Sequence, residues 1–221
     1  MMEKQSIITV MRQLQAEKLK VEDEMKNRRT AITVSYEQFI ELFYIQANIC
    51  LRKRNEMHDF VIDKDNKDLI EDLYFYFSLN QRFSGSLYKG ILLTGSYGVG
   101  KSIILMSCSK ICTCLTNKNI TIVHSLNLAQ FINEKDIGYY VQRPLLIDDL
   151  GKESISMKVF GTEIRPIVEL LTQRYDNGAW TFATSNNSPK SLADFYGETI
   201  NERMKTMFNI IEIEGPSRRE Q

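Results

Sequence analysis

One octapeptide constrains this chain more than anything else in it. Gly95-Ser96-Tyr97-Gly98-Val99-Gly100-Lys101-Ser102 has the spacing G-x-x-x-x-G-K-[ST] of a phosphate-binding loop. Apolar Ile91-Leu92-Leu93 leads into it, and Ile103, Ile104, Leu105 and Met106 lead out at helical spacing. Glycine lets the backbone curl so that successive N–H groups point inward at phosphate oxygens. The helix that follows adds the positive end of its dipole. Residues 95 to 103 (Gly95, Ser96, Tyr97, Gly98, Val99, Gly100, Lys101, Ser102 and Ile103) are therefore the candidate nucleotide cradle. Lys101 is placed to reach the β- and γ-phosphates, and the Ser102 hydroxyl to hold Mg²⁺.

The pattern around the loop is that of a parallel α/β sheet. Apolar runs at 90–94, 120–124, 145–147, 180–184 and 209–213 predict five strands. Amphipathic segments at 101–115, 127–134, 164–175 and 200–208 predict the helices between them. The third run ends in two carboxylates, Leu145-Leu146-Ile147-Asp148-Asp149. At the C-terminal end of a strand such side chains stand in the ligand crevice. Asp148 suits a water-mediated Mg²⁺ contact and Asp149 the activation of an attacking water. The run Trp180 to Thr184 ends in Ser185-Asn186-Asn187. In P-loop ATPases with an additional strand, that strand lies between the other two and brings a polar residue near the γ-phosphate. Asn186 fits that role.

The first 88 or so residues read as helical. Ile7, Val10, Met11, Leu14, Leu19, Val21 and Met25 form a loose stripe among charges, interrupted at Asn27-Arg28-Arg29-Thr30. Ser35, with Gln38 three residues on, predicts the N-cap of a second helix facing inward through Phe39, Leu42, Phe43, Ile45, Ile49 and Cys50. A third helix is expected over 67–83, its aromatics Tyr74, Phe75, Tyr76, Phe77 and Phe83 serving as core. The domain boundary is placed at 57/58: residues 1–57 a helical partner-binding region, residues 58–221 an ATPase domain.

The 28 Lys plus Arg balance the 28 Asp plus Glu, which argues against a strongly basic nucleic-acid coat. No apolar run reaches the ~18 residues of a membrane span, and none follows Met1-Met2-Glu3-Lys4-Gln5 as in a secretory signal. With four cysteines and two histidines at unsuitable spacing, the expectation is reduced thiols in a cytoplasmic protein without a zinc cluster. Asp63-Lys64-Asp65-Asn66-Lys67-Asp68 begins like a calcium loop but lacks Gly at position 6 and Glu at position 12.

With these residues in hand, the chain resembles the AAA+ ATPases, and within them the DnaC and IstB branch. The resemblance runs from about residue 58 onward. It is carried by Leu145 to Glu153, Gln173-Arg174-Tyr175, Thr184-Ser185-Asn186, Tyr196 to Arg203 and Gly215-Pro216-Ser217-Arg218-Arg219. It implies a sheet without the helical lid of most AAA+ proteins, since the chain ends soon after the last strand. It implies that Arg203 is an arginine finger entering a neighbouring subunit's site, where a guanidinium neutralises charge on the γ-phosphate. Arg174 is either a second such contact or a structural partner. Phe60-Val61-Ile62 matches the segment lining an adenine pocket, with plain core packing as the other reading. Arg218 and Arg219 match a terminal arginine motif. Loaders touch single-stranded DNA near 124–143, a stretch with only Lys135 and Arg143 as permanent cations. Tyr139 and Tyr140 there either stack on bases or pack.

The function expected from the resemblance is an ATP-hydrolysing, Mg²⁺-dependent helicase loader acting in DNA replication. It would grip a replicative, DnaB-like helicase through the N-terminal helices and self-associate across the ATP site. The same engine would serve an IstB-like transposition helper. A nucleotide or small-molecule kinase would need a mobile, arginine-bearing lid, and none is evident. A nucleotide-binding scaffold that never hydrolyses is a further reading, since Asp149 is one methylene shorter than Glu.

Overall fold

The computed structural model describes residues 7–27, 29–134, 137–159 and 162–218. In chain order these form α1 (Ile7–Asn27), α2 (Tyr36–Arg52), α3 (Lys67–Phe77), β1 (Gly90–Gly95), α4 (Lys101–Leu115), β2 (Thr121–His124), α5 (Ser125–Glu134), α6 (Gly138–Val141) and β3 (Leu145–Asp148). They continue with β4 (Met157–Val159), β5 (Thr162–Ile164), α7 (Pro166–Asp176), β6 (Thr181–Thr184), α8 (Pro189–Tyr196), α9 (Glu198–Met207) and β7 (Phe208–Ile213). The five expected strands all form, in one parallel sheet ordered β2-β3-β6-β1-β7. β6 lies between β3 and β1, as the sequence predicts, and so brings the ends of all three strands to one edge.

Alternation along the strands divides the core between the two faces of the sheet. Ile91, Leu93, Leu146 and Phe182 pack on the side of α2, α3 and α4. Leu92, Leu145, Ile147 and Ala183 pack with Leu170, Leu171, Leu192, Ile200 and Met204 from α7 to α9. The aromatic run of α3 is core. Phe77 stacks on Phe182 at 5.5 Å between centroids, and the Trp180 Nε1–H donates to Tyr76 Oη at 2.7 Å.

Four features differ from the sequence reading. α2 has the expected capping box at Ser35 and Gln38, but it buries Phe39, Phe43, Ala47 and Leu51 at steps of four. Ile45 and Ile49 are exposed. Four is the nearest whole number to a 3.6-residue turn, so large side chains at that step make one ridge for α4. The same core cluster holds Phe39 and Leu51 together with Ile91 and Ile104, so no break in the core falls at residue 57. α3 stops at Phe77 rather than near 83, because Ser78 caps it and Leu79 turns left-handed at φ 53°. The antiparallel pair β4-β5 and the short helix α8, which buries Leu192 and Tyr196 one turn apart, are additional to the expected elements.

α1 is exposed along its described side chains, with Ile7, Met11, Leu14 and Leu19 in solvent. The side chain of Met25 and the residues Arg28, Lys135 and Arg219 lie outside those described. Among the described residues no helix is long and apolar enough to cross a membrane.

Candidate functional site

The phosphate loop joins β1 to α4. Gly100, at φ 98°, sits directly before α4 in a backbone region that costs other residues about 1 kcal/mol or more. The loop curls around the ammonium of Lys101, a residue only 5% exposed. Lys101 donates to Gly95 O at 2.9 Å, to Ser96 O at 2.6 Å and to Asn186 Oδ1 at 2.9 Å. A buried cation is tolerated when its protons are bonded.

The acidic pair stands where β3 ends. Asp148 is buried and accepts from Thr184 Oγ1 at 2.6 Å. Asp149 has φ 59°, left-handed, a conformation Asp tolerates better than most residues. Its backbone is fixed on both sides, its N–H donating to Thr184 Oγ1 at 3.0 Å and its carbonyl accepting from Ser125 Oγ at 2.7 Å. The side chain accepts from Lys152 Nζ at 2.5 Å and Asn186 Nδ2 at 2.7 Å, and lies 3.3 Å from His124 Nε2. Burial works to raise this carboxyl's pKa. The Lys152 hydrogen bond and charge, with His124 and Asn186, outweigh it and hold the group below the ordinary carboxylate range.

A cleft of about 750 Å³ connects these groups. Gly98, Gly100, Lys101, Ser102, Asp148, Asp149 and Asn186 line its phosphate end. Leu51, Phe60, Val61 and Ile103 give the cleft an apolar wall as well. Of the expected adenine segment, Phe60 and Val61 line the cleft, while Ile62 packs against the core. α2 braces that wall, since Asn48 Oδ1 accepts from Phe60 N–H at 2.7 Å and Phe43 meets Phe60 edge-on at 5.4 Å.

Other residues singled out from the sequence lie elsewhere. Arg203, on α9, rests over the Tyr175 ring at 5.3 Å and does not line this chain's own cleft. Arg174 is fully buried and structural. It donates to Tyr140 O, to Arg143 O at 3.0 Å, to Trp180 O at 2.8 Å and to Thr181 Oγ1 at 3.0 Å, while burial lowers its pKa. Tyr140 is core, and the exposed Tyr139 lies beneath Arg143 at 4.4 Å.

His124, Lys152 and Arg218 are among the cleft residues that received no role from the sequence. His124 ends β2 and pairs in register with Asp148, so strand order alone could have pointed to it. Lys152 lies three residues after Asp149, within reach once the turn folds, and sits 5.5 Å from the Tyr97 ring. Arg218 returns to the cleft from beyond β7, with no local signal of where the tail goes.

A parallel sheet in this order, with a phosphate loop after β1, an acidic pair after β3 and a polar side chain after β6, defines a nucleotide-binding P-loop fold of the AAA+ type. The chain is similar to solved structures of DnaI (26% identity over 72% of this chain and 87% of that one, TM-score 0.53). It is similar to a DnaC helicase loader (22% identity, 70% and 93% covered, TM-score 0.54). It also resembles AMPPCP-bound DnaA from Aquifex aeolicus (18% identity, 73% and 50% covered, TM-score 0.52). No protein-family model and no curated protein sequence matches the chain.

Proposed function

We propose that this chain is an ATP-binding and ATP-hydrolysing helicase loader of the DnaC type, acting in DNA replication in the cytoplasm. The observation that carries the ATPase reading is Asn186, whose one amide touches both Lys101 and Asp149. That links the residue that senses phosphate to the residue that handles water. The likeness to DnaI and to a DnaC helicase loader supports the choice of process.

ATP would enter with its triphosphate against the N–H groups of residues 98–102 and its base against Phe60 and Val61. Lys101 would exchange its loop carbonyls for phosphate oxygens, a stronger charge-assisted pairing. Asp149, released from Lys152, would accept the proton of the attacking water, and Asn186 would hold that water in line. The donor set fits Mg²⁺, which takes oxygen ligands and keeps several waters. The Ser102 hydroxyl and the Asp148 carboxylate both face the cleft, and ligand atoms of His124, Asp148 and Asp149 all lie within 4.8 Å of one another. When bound, Mg²⁺ would neutralise phosphate charge. Arg203 would act on a neighbouring subunit's ATP, so turnover would require self-association.

The domain reading that follows joins α2 to the ATPase of 58–221, because α2 is committed to its core, and gives partner binding within 1–57 to α1. The partner would be a DnaB-like replicative helicase, with single-stranded DNA a further contact. An Asp149→Asn variant, trapped with ATP and Mg²⁺, would capture the partner from native lysate for mass spectrometry. A replicative helicase in the eluate supports the loader reading. A transposase without a helicase moves the same engine to transposition, and ATP-independent recovery of neither removes both.

A further inference from the structure

The tail after β7 turns back across the phosphate loop. Arg218 N–H donates to Gly98 O at 3.0 Å, and Ser96 Oγ donates to Gly215 O at 3.4 Å. Gly98 has φ 80°, and a Cβ there would lie 2.2 Å from Ser217 Oγ, so the tail fits only against a glycine. The Arg218 side chain then crosses to the far end of the cleft. Its two terminal nitrogens donate to Asp63, Nη1 to Oδ2 at 2.7 Å and Nη2 to Oδ1 at 2.9 Å, with Asp65 Oδ2 at 3.8 Å. Such a two-pronged pair fixes orientation as well as distance.

Asp63 is itself held. It follows directly on Phe60-Val61-Ile62, and its N–H donates to Asn66 Oδ1 at 3.0 Å. The buried Asn66 returns a hydrogen bond from Nδ2 to Val61 O at 2.9 Å. The turn 61–66 is thereby rigid up to the wall that Phe60 and Val61 provide. The Arg218 hydrogen bonds, the largest influence, hold the Asp63 carboxyl below its ordinary range.

We infer that Arg218 is a positioning residue for the nucleotide, setting the spacing between the phosphate loop and the base-side wall through Asp63. This rests on the ATP-binding reading above. Its guanidinium is spent on carboxylates rather than aimed at phosphate, so it acts through the wall. A ligand that uses both ends of the cleft should feel its loss, and a ligand that uses the phosphate end alone should not.

The test compares ATP with tripolyphosphate, which has no base, by calorimetry on the full chain. Arg218→Ala is expected to weaken ATP by about tenfold and tripolyphosphate by less than about threefold. Arg218→Lys should recover only part, since an ammonium cannot reproduce the fork. Adding Asp63→Asn to Arg218→Ala should cost nothing further. Equal losses for both ligands, no loss for ATP, or additive effects of the two substitutions would each overturn the inference. If Arg218→Ala does not fold, as judged by thermal unfolding, Asp63→Asn alone carries the same two-ligand comparison. Failure of the unaltered chain to bind ATP would instead strike the ATPase reading.

Discussion

The nucleotide corner and α1 treat their side chains in opposite ways. At the corner, Lys101, Asp148, Asp149 and Asn186 come from three separate strand ends and are bonded to one another at 2.7–2.9 Å or through Thr184 at 2.6–3.0 Å. On α1, Ile7, Met11, Leu14 and Leu19 are one continuous stretch, and none is buried by the chain. Preorganised charge needs support from all sides, because desolvated groups are costly unless paired. A surface meant for another molecule needs the opposite, an apolar stripe left without a cover. α2 lies between the two in sequence and belongs wholly with the corner.

The sharpest way to separate the two regions is to disable one. Lys101→Ala should lower ATP affinity by more than about a hundredfold, measured with a fluorescent nucleotide, while capture of a partner through α1 in the absence of nucleotide persists. Loss of both would mean that the regions are not independent. Arg203→Ala should leave ATP binding intact and reduce turnover about a thousandfold, and turnover of the unaltered chain should rise with its concentration. A monomeric, concentration-independent ATPase would break the trans assignment. The smallest effects discriminate between the two helices. Phe43→Ala on α2 should cost about 3–5 kcal/mol in chemical denaturation. Leu14→Ala on α1 should change stability by less than about 0.5 kcal/mol and still weaken partner capture.

Much of the corner was legible because its chemistry is local. The loop, the acidic pair and Asn186 each follow an apolar run, and five such runs with helices between them admit few topologies. The neighbours of Asp149 were harder to see. His124 reaches it only because β2 and β3 pair in register, and Lys152 only because the chain turns at Asp149 and Gly151. The buried face of α2 was misread because Ile45 and Ile49 are as apolar as Phe43. What decides between them is the ridge that α4 accepts, a property of two helices rather than one. The course of the tail to Asp63 spans 155 residues of sequence separation, beyond any pattern that periodicity can report.

The amide of Asn186 has two unlike ends, and they face unlike neighbours. Its oxygen meets a cation and its nitrogen meets an anion, so the group can sit in only one of its two flipped orientations. A carboxylate at this position would repel Asp149, and an ammonium would repel Lys101. Asparagine is thus the side chain that suits both neighbours at once. Were phosphate to draw Lys101 away, the oxygen end would lose its partner, the amide would be free to turn, and Asp149 would lose a donor in the same movement. The arrival of the nucleotide would in that way be announced to the water-handling carboxylate by the rotation of a single neutral group.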